Sequence, residues 1–190
     1  IAGKGVQISN KIEDIIPPQP PMLSAVPEAT NSANIVIEGY TEQGADVELM
    51  VNDTLNQKDK AKDDGSFSFN ATLSNGANRV QIRAVDSANN SSLSEVKMVT
   101  VDKEPLVLNV TSPKDGSEYI GKNSQSVEIV GKVSKASSQL IANSSFVDVG
   151  RDGNFSHKFL LSAGENTIKL VASDKAGNTA EKIIKVVYSP

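Results

Sequence analysis

Three carboxylates are the best candidates for chemistry in this sequence. Calcium takes about six to eight oxygen ligands, and the short stretch Val101-Asp102-Lys103-Glu104-Pro105 sets two acidic side chains close together. A third, Asp174, lies in a loop before the last strand of the second half. If that loop sits at the pole where the chain enters, Asp102, Glu104 and Asp174 converge and hold a calcium ion. The simpler alternative has Asp174 capping its own turn while Asp102 and Glu104 stay solvated, since no Asp-x-Asp-x-Asp run is present. No other cofactor is implied.

Other chemistries lack their parts. A Ser–His–carboxylate triad would have to use His157, the one histidine. It stands where a duplicated strand has Phe69, which points to a packing or rim role. The serines lack a nucleophile elbow, and no phosphate-cradling glycine loop is present. With no cysteine, disulfides, thiolate metal sites and cysteine nucleophiles are all excluded. No catalytic residue is expected, and the chain reads as a non-enzyme. The pairs Gly76/Asn78 and Gly164/Asn166 resemble a ligand site but suit a local role, with glycine turning the chain and asparagine bonding backbone groups. Stacking on sugars would fall to Tyr40, Tyr119 and Tyr188, because tryptophan is absent.

These residues are positioned by a duplication. Asp64-Gly65 recurs as Asp152-Gly153, Phe67 as Phe155, Leu73-Ser74 as Leu161-Ser162, Asn78 as Asn166, Asp86 as Asp174 and Asn90 as Asn178, always 88 positions apart. Gly39 matches Gly131 at 92, so loop lengths vary while the framework persists. Val47, Leu49 and Val51 alternate with polar or flexible residues, as do Val80, Ile82 and Ala84, and again Ile168, Leu170 and Ala172. Such a period of two marks half-buried strands. Further strands are expected at 21–26, 34–40, 57–61, 66–72 and 95–101. The fold class is therefore all-β, two tandem sandwiches of about seven strands each. The boundaries read as a linker or frayed helix over 1–19, a first domain over 20–103 and a second over 104–190. Ile8, Ile12, Ile15 and Ile16 would share a helical face, and Pro17–Pro21 would form an extended spacer. Asn89 and Gly177 occupy equivalent loop positions, which implies positive φ there.

The motifs Pro113-Lys-Asp-Gly116, Val127-Glu-Ile-Val-Gly131, Asp152-Gly-Asn-Phe155, Leu161-Ser-Ala-Gly-Glu-Asn166 and Ala172-Ser-Asp-Lys-Ala-Gly-Asn178 resemble bacterial immunoglobulin-like repeats of the glucodextranase domain B type. The resemblance covers nearly all of 104–190, and 20–103 more loosely. It implies a bacterial, exported protein in which such domains act as spacers, adhesion modules or accessory domains.

The functional expectation is a non-catalytic spacer of a cell-surface or secreted protein, forming a semi-rigid rod. Each sandwich would add ~35–45 Å, from strands of six to ten residues at ~3.3 Å each and their loops. The alternative is an adhesion or carbohydrate-binding accessory module, with contacts at loop tips 53–63 or 114–124. Partners would be other domains of the same protein, a surface protein or a glycan, and the chain would be monomeric. A net charge of -4 without a basic patch argues against nucleic acid, and no apolar run is long enough for a membrane span. The chain is expected outside the cell or on its surface, with Ile1 in place of a start methionine reading as a fragment or processed product.

Overall fold

The computed structural model describes residues 14–190. The chain divides into two compact units, one of residues up to Pro27 with Asn34–Val99, the other Glu28–Ala33 with Thr100–Pro190.

The strands in chain order over the first half are β1 (Met22–Leu23), β2 (Ala29–Thr30), β3 (Asn34–Tyr40), β4 (Asp46–Val51), β5 (Thr54–Lys60), β6 (Ser66–Thr72), β7 (Gly76–Val85), β8 (Ser91–Leu93) and β9 (Lys97–Val101). In the first unit β1, β3 and β6 make one antiparallel sheet, while β9, β7, β4 and β5 make the facing sheet, with β8 also on β7. Inward positions alternate as the sequence pattern demands: Ile37, Val47, Leu49, Phe67, Phe69, Ala71, Val80, Ile82 and Ala84 are all buried. Apolar area taken out of water between the sheets is the main stabilising term, at about 25 cal/mol per Å².

The second half continues with β10 (Leu108–Ser112), β11 (Ser117–Ile120), β12 (Ser126–Val133), β13 (Gln139–Ala142), β14 (Ser145–Val147), β15 (Asn154–Leu160), β16 (Gly164–Ser173) and β17 (Thr179–Ser189). Sheet β10-β12-β15 faces sheet β11-β17-β16-β13-β14. Between them lies a separate core that includes Val127, Ile129, Leu140, Phe155, Ile168, Leu170, Ile184 and Val186. Both units are immunoglobulin-like β-sandwiches, and each buries its own aliphatic faces.

Gly39 and Gly131 owe their presence to packing. A Cβ on Gly39 would collide with the Met22 carbonyl and the Phe67 ring, and one on Gly131 with the Asn109 carbonyl and the Phe155 ring. Each ring lies across the bare backbone of the neighbouring strand, so only glycine fits. The expected left-handed position is also present, with φ of 68° at Asn89 and 87° at Gly177.

Several boundaries differ from the sequence reading. The strand expected at 21–26 is only Met22–Leu23. After it the backbone leaves this sheet, and Ala29–Thr30 runs parallel to Thr100–Val101 within the second unit. The expected loop tip 53–63 is mostly strand β5, an exposed, charged edge paired to β4. The tip 114–124 contains β11, parallel to β17, and a short 3-10 turn at Lys122–Ser124. The strand expected at 95–101 begins instead at Lys97, after a break at Ser94–Val96 that separates β8 from β9. The Ser94 hydroxyl accepts the Ile82 N–H at 2.9 Å, taking the place of a backbone carbonyl, whereas β17 runs unbroken. The possible helix at 1–16 lies outside the described residues except for Asp14–Ile16, which are irregular, with Ile15 and Ile16 exposed.

Candidate functional site

Asp102 and Asp174 do come together, and the cation between them is the Lys135 ammonium. Lys135 sits in the turn after β12, and its Nζ lies 2.8 Å from Asp102 Oδ2, 2.8 Å from Asp174 Oδ2 and 2.9 Å from the Glu104 carbonyl oxygen. Glu104 thus offers its main chain to this cluster. Among the described residues no group of three or more acidic, histidine or cysteine side chains is arranged to hold a metal ion.

The loop around Asp174 is built to keep its carboxylate ionised. Oδ1 accepts the N–H groups of Ala176 and Asn178 at 3.0 and 2.9 Å, and Oδ2 accepts Asn178 Nδ2 at 2.9 Å. Burial works to raise the Asp174 pKa, but the Lys135 ammonium and the Asn178 donors outweigh it and hold the group at about 2. Lys135 is drawn downward by burial and raised on balance by the two carboxylates. Asp102 is lowered by Lys135 and by the Glu104 N–H.

Asn178 completes this clasp by donating Nδ2 to the Asp102 carbonyl at 2.9 Å. Asn31 also donates to the Gly177 carbonyl at 3.0 Å. The segment Asp102–Val107 is therefore tied into the second unit through its carboxylate, its carbonyls and the Ser134 hydroxyl, which accepts the Val107 N–H at 3.0 Å.

The first unit has the same arrangement, which the sequence reading overlooked. Asn90 Nδ2 donates to the Asp14 carbonyl at 2.9 Å, and Asp86 accepts Ala88 N, Asn90 N and Asn90 Nδ2. Asp14 Oδ1 accepts the Ile16 N–H, as Asp102 Oδ1 accepts that of Glu104. The available signal was the same 88-residue offset, which relates Asp14-x-x-Pro17 to Asp102-x-x-Pro105. Lysine is missing from this copy: the turn closed by Lys135 and Ser138 in the second unit is closed by Glu42 and Ala45 in the first.

The asparagine pairs are structural. Asn78 is fully buried, accepts the Ser74 N–H at 3.0 Å and donates to the carbonyls of Ser74 and Gly76 at 2.7 and 2.9 Å. Asn166 repeats these bonds with Ser162 and Gly164. His157 is half-buried opposite Ile129, on the inward side of β15. Of the tyrosines, Tyr40 is exposed and Tyr119 packs against the second core. Tyr188 is 4% exposed, a core residue rather than a sugar platform.

One surface position is solved in two ways. In the first unit Glu48 is buried beneath Lys58 and Arg83, its direct neighbours on β5 and β7, and pairs with both. Burial raises the Glu48 carboxyl, and the two cations lower it overall. The corresponding trio in the second unit is Ile141, Phe146 and Val171, with Phe146 76% exposed. The first unit also carries an open cleft of about 510 Å³ beside the Ser94 interruption, lined by Pro20, Pro21, Met22, Leu23, Leu93 and Lys97 among others. No described helix is long and apolar enough to cross a membrane.

Comparison with known proteins agrees with this architecture. The family model described as glucodextranase, domain B matches residues 24–103 and again 106–189. Bacillopeptidase F of Bacillus subtilis is 28% identical over 167 residues, covering 84% of this chain, which spans only 11% of that protein. The fibronectin(III)-like modules of Clostridium thermocellum CbhA superpose with a TM-score of 0.63 at 17% identity, over 89% of this chain and 94% of theirs.

Proposed function

Since the chain belongs in both halves to the glucodextranase domain B family, we propose that it is a non-catalytic accessory segment of a larger exported protein, acting as a semi-rigid spacer between other parts. The observation that carries this reading is the clasp on Asp102–Val107. A connecting segment fixed by Lys135, Asn178 and Ser134 lacks the freedom of a polar, unbonded linker. Repetition of its asparagine and aspartate parts at Asp14 suits a module used in series. The location outside the cell or on its surface belongs to the same proposal, as do partners among other domains of the same protein.

Small-angle scattering tests the spacer role. A maximum dimension near two sandwich lengths end to end is expected, and loosening is expected on replacing Lys135. A compact particle of one folded-over globule would overturn the reading.

A second reading is a carbohydrate-binding or adhesion accessory module. The exposed Phe146 with Ile141 and Val171 speaks for it. The loss of Tyr188 to the core speaks against a sugar platform. Binding of the protein to a panel of immobilised polysaccharides that disappears with Phe146→Ser would favour it.

A calcium ion at Asp102, Glu104 and Asp174 would have to displace Lys135. We therefore propose that the ammonium supplies the positive charge at this position and that the clasp needs no divalent ion.

A further inference from the structure

We propose that Asn75 is a site of spontaneous main-chain rearrangement, in which the turn between β6 and β7 converts to an aspartate and isoaspartate mixture in the first unit alone. Asn75-Gly76 is the one Asn-Gly pair in the sequence. Both residues are exposed, and Gly76 has a φ of 84° with nothing within 4 Å of where a Cβ would stand.

The chemistry needs only these two residues and water. The Gly76 amide nitrogen, losing its proton to hydroxide, attacks Cγ of Asn75. A new C–N bond closes a five-membered succinimide, the Cγ–Nδ2 bond of Asn75 breaks, and ammonia leaves with the proton it requires. Water then adds to either ring carbonyl: opening one C–N bond gives aspartate, and opening the other gives the β-linked isoaspartate. Nothing is oxidised or reduced. Glycine favours ring closure because it has no Cβ to crowd the attacking nitrogen and its backbone moves most freely.

The glycine that follows sets this asparagine apart, and several of the others are also held in place. Asn78 and Asn166 are buried and held by several hydrogen bonds each. Asn52 and Asn143 each accept a backbone N–H across the sheet and are followed by Asp53 and Ser144. Asn90 and Asn178 are held by Asp86 and Asp174. The side chain of Asn75 is outside the hydrogen-bonded lattice that Asn78 builds in this turn. At the corresponding place the second unit has Ala163-Gly164, with a φ of 93° at Gly164 but no side-chain amide to react.

The product would matter locally. Isoaspartate inserts a methylene into the main chain between Ser74 and Gly76, whose carbonyls Asn78 Nδ2 bridges at 2.7 and 2.9 Å, and it adds a negative charge.

The test is peptide mass spectrometry of the whole protein held in mildly alkaline buffer, beside a urea-unfolded sample, with isoaspartate scored by isoaspartyl methyltransferase labelling. The peptide containing Asn75 is expected to gain the mass that exchanges NH2 for OH and to split into two products of equal mass. Its rate should rise with pH, and the peptide containing Gly164 should stay unchanged. Asn75→Ala should lose the modification entirely. The proposal is overturned if the folded protein leaves Asn75 intact while the unfolded sample reacts, or if other asparagines of the folded protein react as fast.

Discussion

Replacing Lys135 by methionine keeps the aliphatic stem and removes one charge, which makes it a direct test of the clasp. In the native second unit the ammonium contacts Asp102, Asp174 and the Glu104 carbonyl. The Asp174 side chain is 5% exposed, so water cannot replace the lost partner fully. Breaking a buried ion pair costs about 3–5 kcal/mol when a bare charge remains. Here Ala176 and Asn178 still donate three bonds to Asp174, which brings the cost to the bottom of that range or below it, about 2–3 kcal/mol. For a domain of this size that corresponds to a fall in Tm of about 10–20 °C. Scanning calorimetry should show the drop in the transition of the second unit, with the first unaltered.

Acid should close the gap between native and variant. The folded pKa of Asp174 lies below its ordinary 3.8, so the clasp contributes fully above the ordinary value and is lost as pH falls through about 2. Lys135 is raised above its ordinary 10.5, so its contribution is complete below that value and is lost as pH rises through the raised one. The difference between the two proteins should therefore be widest at neutral pH. A variant within about 2 °C of native at neutral pH would refute the reasoning, and so would an EDTA-induced fall in the native midpoint, which would restore a divalent ion to the site.

Three further outcomes are expected. Asn78→Ala should lower stability by about 2–4 kcal/mol in urea titrations, because it leaves backbone groups of Ser74 and Gly76 unpaired around a fully buried position; a change below about 0.5 kcal/mol would show that the turn holds itself. Gly131→Ala should cost at least about 2 kcal/mol, since its methyl would overlap the Phe155 ring and the Asn109 carbonyl; unchanged calorimetry would mean the ring can move away freely. The triple change Glu48→Ile, Lys58→Phe and Arg83→Val imports the aliphatic solution of the second unit and should leave the thermal midpoint unchanged or higher, as exchanges of buried ion clusters for apolar groups often do; a large drop would show that the ionic trio is a net stabiliser.

The inner faces of both sandwiches were legible in the sequence because burial follows the pleat. Val47/Leu49, Val80/Ile82/Ala84 and Ile168/Leu170/Ala172 alternate without interruption and all lie in the cores. Glu48 broke the rule of polar residues facing water, since its burial depends on Lys58 and Arg83 from strands remote in sequence. The short β2 shows no periodicity in two residues, and the strand expected at 57–61 starts earlier, at Thr54, because an exposed edge strand has no apolar alternation to mark its beginning. Topology suggested a meeting of Asp102, Glu104 and Asp174; Asp102 and Asp174 share the Lys135 ammonium, while Glu104 brings only its carbonyl oxygen. Lys135 was not foreseen, because a lysine in a turn carries no signal of what it reaches.

The repeated latch marks an equivalent point on the way into each sandwich. Asp14 and Asp102 stand 88 positions apart, each bonded through its carbonyl to the asparagine of the sandwich that follows it. A cassette cut just before such an aspartate carries both halves of its own fastening. The second unit also draws on residues ahead of that cut, through Ala29–Thr30 and through Asn31 on the Gly177 carbonyl, so an exchanged copy would have to bring these contacts with it.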